Sequence, residues 1–546
     1  MNKYLLSVAL VSLILFSCVA PTDNVRYYTI TFDQNGADSG TPPSALRILA
    51  GTPFSMPDMG NMGKDGEPGS RYVLGGWRTG PNSGAVYKAG TIMEPPAADM
   101  TYYAHWKSVT IPVGRDFRRF YAQNTNYDFY QVDAVELKTG NKCIIYGDIT
   151  ESKVADYIAS SGSIPANIAN EYDHTIHDLI TNVFGDITYF TNNTGDKVVF
   201  LLLDIQDGYS NSESGYVAGY FDSTHMLAKS IFNPYSNETA MLFMDINPGV
   251  PASGEFFSTM AHELQHLINY SETAVKNRTE KDLWINEGLS TGAEFIYGKA
   301  KDGETNHYNS ERTAGRIYYY NEDPRESIEW GNNFFVWGGS WDNDVLADYA
   351  TVYLFFQWLR IHASNDVDIY YDIIAHTSGG YASVSASARE RFSDFNSLPG
   401  NTDWEKVMGG WLRANALKAT TGLGGYKARI APTIHPWSFG NKRILLYPGE
   451  AIYSYSSGSP PSASGYIKYL PFSVSPAIAN LISYNANPNI KGAEESAQVY
   501  SVASGRAAAS QRPSAPPSGV PAPISFGDRA RGFGRPSGPR PGGDKR

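Results

Sequence analysis

The chain is poor in cysteine, with 2 in 546 residues. At most one disulfide can form, which excludes a cross-linked small-domain scaffold. Charge is sparse as well. Only 18% of residues are charged, against roughly a quarter in an average soluble domain. That excludes a charged coiled coil. The net charge is −11, so nothing global points to nucleic acid. Long apolar runs are missing too. Residues 4–16 form a run of 13, short of the about 20 needed to span a bilayer, and no other stretch is long enough. What is plentiful is packing material. Hydrophobic residues make up 42% and aromatics 13%, with 37 Tyr and 10 Trp. A wholly disordered chain is thereby excluded, and the length predicts three or four units at about 150 residues each.

The N-terminus has the layout of an export signal: Lys3, then the short apolar run, then Leu15-Phe16-Ser17-Cys18. The last four residues resemble a bacterial lipobox, although Phe16 is bulkier than that motif usually carries. The resemblance implies a signal peptide over 1–17, a lipid on Cys18, a tether over 18–26 and a protein exported to the cell envelope or surface, anchored to the membrane rather than spanning it. Cys143 is then alone, and its neighbours Lys142, Ile144, Ile145 and Tyr146 read as a strand. A buried structural thiol is the expectation there.

Residues 27–106 have their own style. Tyr28 to Phe32 alternate like a strand, Gln34-Asn35-Gly36 turns it, Gly75-Gly76-Trp77 sits at the centre, and Tyr102-Tyr103-Ala104-His105-Trp106 closes it. These motifs resemble the internalin B-type repeat of bacterial surface proteins, which implies a small β-grasp-like unit used as spacer or adhesive module. From 107 to 440 the pattern is mixed α and β. Residues 198–203 and 241–244 are continuous apolar runs suited to buried strands. Residues 215–221 suit a more exposed strand. Helical spacing runs from Tyr157, over 171–184, and from about 344 to 362. Residues 441–505 read as a small β-rich segment. The Pro-, Gly- and Arg-rich stretch 506–546 has too few aromatics to bury a core and reads as a disordered tail.

Chemistry concentrates in one place. His262-Glu263-Leu264-Gln265-His266 is an H-E-x-x-H run, and Phe257, Met260, Leu264, Leu267 and Ile268 recur at helical steps around it. Residues four apart stack on one helix face, so His262 and His266 offer two imidazoles to one point, as a zinc ion requires. Glu263 is placed to reach a water there. Twenty residues further on, Trp284-Ile285-Asn286-Glu287-Gly288 begins a second helical pattern. The gap leaves room for a helix end and a polar turn near Lys276-Asn277-Arg278. Glu287 can then supply a third ligand. Glu294, two helical turns on, can brace a ligand histidine through its second nitrogen.

This paired motif resembles the gluzincin metallopeptidases. The run from Trp284 to Glu294 is similar to the third-ligand helix of the aminopeptidase N family, and His262–Tyr270 with the preceding Met244-Asp245-Ile246-Asn247-Pro248 looks most like the hyicolysin family of secreted bacterial peptidases. The resemblance implies a thermolysin-like α+β catalytic unit, one Zn²⁺ per chain on His262, His266 and Glu287, and Glu263 as general base. Two departures stand out. The gap between the motifs is longer than in the aminopeptidase N or thermolysin families. Thr291 also stands where the thermolysin family has a supporting acid, so that support falls to Glu294. The resemblance further implies an oxyanion donor. Tyr349 is the first choice, by likeness to the aminopeptidase N family, and Tyr353 the second, with His307 and His376 as outside candidates. His174 and His177 find no partner ligand in the sequence.

The expected function is a zinc endopeptidase acting on protein or peptide substrates outside the cell. The G-x-M-E-N run that holds a free amine in aminopeptidases is missing, which argues for internal cleavage and against an exopeptidase. The alternative is a surface adhesin on an inactive scaffold, against which all four chemical positions stand intact. Residues 215–221 are a candidate edge strand for an extended peptide. The acidic turn at Asp204 to Gly208 is a weak candidate for Ca²⁺, a plain turn being the other reading.

Overall fold

A computed structural model describes residues 25–60, 62–66, 70–159, 163–189, 195–209, 216–331, 344–437, 443–456, 459–475, 479–489, 495–498 and 524–526. The export segment and Cys18 lie outside the described residues. No helix among the described residues is long and apolar enough to cross a membrane.

The N-terminal unit is built from β1 (Tyr27–Asp33), β2 (Leu46–Leu49), β3 (Phe54–Ser55), β4 (Ser70–Arg78), β5 (Val86–Tyr87), β6 (Ile92–Met93) and β7 (Met100–Thr110). Its main sheet has the order β2-β1-β7-β4-β5, with β1 parallel to β7. Alternation buries Tyr28, Ile30 and Phe32 on one face. The residues that caught the eye in sequence brace one another. The Phe32 and Trp77 rings meet edge-on at 4.9 Å, the Asn35 amide donates to the carbonyls of Pro81 and Ala104, and the Trp106 indole donates to Gln34. Gly76 holds φ +132°, where a side chain would also overlap the Tyr87 carbonyl. β7 continues to Thr110 and buries Val109, so a boundary at 106 falls inside a strand rather than in a linker.

A mixed sheet follows: β8 (Phe117–Gln123), β9 (Phe129–Thr139), β10 (Cys143–Asp148), β11 (Val198–Leu203), β12 (Val217–Tyr220) and β13 (Met241–Asp245). β10, β11 and β13 run parallel at its centre. Phe200 and Leu202 face one core, Val199 and Leu201 the other, which explains their uninterrupted apolar runs. β12 lies antiparallel to β13 and is buried along its length rather than exposed as the sequence suggested, because it packs on the helices and has a strand outside it. Cys143 is buried on β10, and burial, then the neighbouring Asp173, pushes its thiol well above the ordinary range. It is structural.

Between β10 and β11, and again after β13, come the helices: α1 (Ser152–Ala159), α2 (Ser163–Glu171), α3 (His177–Phe184), α4 (Gly254–Tyr270), α5 (Leu283–Asp302), α6 (Glu304–Ala314), α7 (Arg316–Glu322), α8 (Val345–His362), α9 (Asp368–Ala375), α10 (Tyr381–Arg391) and α11 (Asp403–Leu417). α8 is buried along nearly its whole length and forms the axis of this half. Asp344 caps it, accepting from the Ala347 amide. A small C-terminal β unit contains β14 (Arg443–Leu446), β15 (Ala451–Ser454), β16 (Ile467–Ser475), β17 (Ala479–Asn485) and β18 (Glu495–Gln498). One short strand, β19 (Ile524–Phe526), pairs parallel to the outer edge of β12. The stretch expected to be a structureless tail therefore contributes to the main sheet, because an open edge offers backbone partners to any extended segment.

Helices α5 and α8 approach closely because Gly288 faces α8: a Cβ there would overlap the Phe356 ring. Gly288→Ala is expected to destabilise the protein by about 1–3 kcal/mol, the usual cost of overpacking a core. Chemical denaturation checks this. A wild-type midpoint would contradict the close packing.

Candidate metal centre

The site rests on two helices. α4 starts at Ser253, whose hydroxyl accepts from the Phe256 amide at 3.1 Å. Its apolar stripe, Met260, Leu264 and Leu267, packs into the core, and this orientation also buries His262, Glu263 and His266. The chain then leaves α4 through a π-turn, Ser271–Val275, and a left-handed Asn277 at φ 55°. It re-enters as α5, alongside α4. The Asn269 amide donates to Asn286 at 2.7 Å and pins the two helices next to the ligands.

This packing brings His262, His266 and Glu287 together. One ligand atom of each lies within 4.8 Å of the others, and all three residues are buried. The Glu287 carboxylate is 3.4 Å from His262 Nε2 and 3.7 Å from His266 Nε2. The two imidazoles stand 4.9 Å apart at 72°. Among the described residues His262 Nε2 finds no hydrogen-bond partner within normal geometry, although it is buried. A buried polar atom without such a partner is costly unless something else meets it. Two imidazoles and a carboxylate converging on one point are the donor set that zinc takes. The residues fit the ion.

The charges say the same. Burial alone would lower His262, but the Glu287 and Glu294 carboxylates outweigh it and hold the imidazole up at about 10. Burial, aided by His262, pushes His266 down to about 4 against the pull of Glu287. Glu287 and Glu294 both stay below the ordinary carboxylate range: burial opposes this, and the imidazoles, with Arg316 at Glu294, prevail. Both imidazoles thus answer to the buried carboxylates packed against them. A divalent cation would take a proton's place there, as metal binding at such sites does.

The supporting residues are specific. Glu294 Oε1 sits 2.6 Å from His262 Nδ1, which directs Nε2 toward Glu287. Thr291 donates to the Gly288 carbonyl within its own helix at 2.9 Å and braces neither ligand. The Ser290 hydroxyl lies 3.1 Å from His266 Nδ1 and 2.5 Å from Gln265 Oε1. Glu263 is buried beside β12, where a Cβ on Gly219 would lie 3.3 Å from Glu263 Cγ. Glycine at 219 lets β12 come that near.

Of the other candidates, Tyr349 reaches the centre: its hydroxyl donates to Glu287 Oε2 at 3.0 Å. Tyr353, one turn on, is buried, and its hydroxyl has no hydrogen-bond partner among the described residues. His307 packs on Phe295. His376 accepts from the Ser378 amide, and His177 sits between Asp178 and Tyr189. Among the described residues, none of these histidines joins the ligand cluster. In the acidic turn, the Asp207 carboxylate accepts from the Tyr209 and Val217 amides, and Asp204 pairs with Lys88 at 3.3 Å. Sequence reasoning missed Ser290, Gln265 and Arg316. Ser290 had a signal, standing one turn after Asn286 on the ligand face of α5. Arg316 had none.

No family model matches the chain. Over 247 residues it is 30% identical to the neutral metalloprotease ShpI of Staphylococcus hyicus, covering 43% of this chain and 51% of that protein. The chain thus spans about half the length of the curated relative it matches. Among solved structures, yeast LTA4 hydrolase in complex with bestatin aligns with a TM-score of 0.33 at 15% identity, over 54% of this chain and 44% of that one. The chain is a distant relative of a metalloprotease and carries a three-residue candidate metal site.

Glu294→Gln keeps the size of the side chain but removes the carboxylate from His262. The expected result is zinc binding weakened by about 10- to 100-fold, measured by competition with a chromogenic chelator. Unchanged affinity would remove Glu294 from the site.

Proposed function

We propose that this protein is a zinc-dependent endopeptidase acting on protein or peptide substrates outside the cell, with His262, His266 and Glu287 as ligands. The observation that carries the reading is the convergence of these three buried donors on helices that also bring Glu263 to the same place. The similarity to a metalloprotease supports it. Zinc, when bound, supplies Lewis acidity at the attacking water and at the scissile carbonyl.

The chain's own residues do the rest. Glu263, beside His262 on α4, accepts the proton of the attacking water and returns it to the leaving amine. Its burial keeps bulk water from competing for that proton. Tyr349 donates a hydrogen bond, and the developing oxyanion is the group we assign to it. Its hydroxyl already points at Glu287, so a small rotation re-aims it. β12 lies against Glu263 through Gly219. Its outer edge is occupied by β19 of this chain, so an extended substrate would pair there in place of that strand. A substrate paired there would present its peptide bonds along the site, consistent with internal rather than terminal cleavage.

The N-terminal β unit we read as an internalin B-type spacer, and Cys18 as the point of lipid attachment. Together these would hold the catalytic half at the cell surface, where secreted or surface proteins are the accessible substrates.

The test is digestion of casein by residues 19–546, with and without a chelator, beside Glu263→Gln. Internal cuts are expected for the wild type. Cleavage should vanish in the chelator and be restored by added zinc. Glu263→Gln should bind zinc normally but cleave at least about 100-fold more slowly, the lower range for loss of a general base. Terminal trimming alone would contradict internal cleavage. Zinc binding with no cleavage of any protein would contradict the peptidase reading.

A further inference from the structure

Arg316 is the first residue of α7. Its backbone amide donates to Glu311 Oε2 at 2.7 Å, so the point from which its side chain leaves the helix is fixed. The side chain is largely buried, with 13% exposure. A buried guanidinium is costly unless its partners are good. It has two. One nitrogen is 3.4 Å from Glu294 Oε1. The guanidinium carbon lies over the Tyr349 ring, 4.5 Å from its centroid.

Each partner stands one step from a ligand. Glu294 Oε1 also meets His262 Nδ1 at 2.6 Å. The Tyr349 hydroxyl donates to Glu287 Oε2 at 3.0 Å. His262 comes from α4, Glu287 and Glu294 from α5, Tyr349 from α8, and Arg316 from α7. One cation therefore ties together contacts from four helices. We propose that Arg316 is a positioning residue that clamps the two arms of the metal centre, holding His262 through Glu294 and Glu287 through Tyr349.

The planar head is what the task needs. A guanidinium can offer an edge N–H to a carboxylate while its face lies on an aromatic ring. A lysine ammonium is a compact charge and cannot do both at these positions. The clamp also explains why Tyr349 keeps its place. Its ring is held from one side by the cation, so its hydroxyl can serve Glu287 at rest and, on the reading above, another acceptor during turnover. The inference rests on that reading only for the turnover step; the clamp on the ligands stands without it.

The test uses Arg316→Met and Arg316→Lys in the full chain. Three quantities are read: the zinc dissociation constant, the melting temperature of the zinc-free protein, and kcat and KM on a peptide at saturating zinc. For Arg316→Met the expected result is a zinc dissociation constant raised by about 10- to 100-fold, the usual effect of losing support around a ligand. kcat should fall with KM unchanged. For Arg316→Lys the loss of zinc affinity should be intermediate, because the charge remains and the stacking does not. Zinc affinity equal to wild type in whichever variant folds would overturn the clamp, and a lower melting temperature alone would mark an ordinary structural ion pair. A wild-type protein that binds zinc but cleaves nothing would sink the peptidase reading while leaving the affinity comparison to decide the clamp. A wild type that binds no zinc would overturn both.

Discussion

A carboxylate buried against two imidazoles has to be neutralised, because bare charge in a dry interior costs several kcal/mol. Glu287 is in that position, between His262 and His266. Much of the helical half is arranged to make the position possible. α4 and α5 must lie side by side, so a polar pair, Asn269 and Asn286, joins them at the ligands. α8 must come close to α5, so a glycine stands at 288. The sheet must come close to α4, so a glycine stands at 219. The remaining negative charge of Glu294 needs an answer, and Arg316 supplies it. A divalent cation held between His262, His266 and Glu287 would offset the buried carboxylates.

The cluster of His262, His266 and Glu287 was legible in sequence because each sits on a helix whose period could be read. Residues four apart on α4 and the spacing of Glu287 to Glu294 on α5 are local facts, and local geometry turns them into directions. The length of the gap also foretold its contents, a helix end, a turn and a second start. Apolar runs without alternation marked β11 and β13 as buried on both faces. Tyr349 was reached by resemblance, and the structure puts its hydroxyl on Glu287, whereas the Tyr353 hydroxyl has no hydrogen-bond partner among the described residues.

What could not be read depends on contacts far apart in the chain. Arg316 opens a seven-residue helix in a stretch without periodicity or motif, and its meaning comes only from where α5 and α8 happen to pass. The end of the N-terminal unit was set at the last motif residue, Trp106, but a strand stops where its pairing stops, and β4 pairs with β7 as far as Thr110. The tail was judged by composition, which speaks to whether a segment can build a core and not to whether three of its residues can join an existing edge. Ser290 illustrates the middle ground: its place on the α5 face was visible, its contact with His266 was not.

The central claim is that one zinc ion sits on two imidazoles and a carboxylate. Zinc-edge X-ray absorption on the purified protein, loaded with one equivalent of the metal, tests it most directly. The account predicts a first shell of nitrogen and oxygen only, at about 2.0–2.2 Å, with the outer scattering of two imidazoles and no sulfur. A sulfur in the shell, or fewer than two imidazoles, would contradict it.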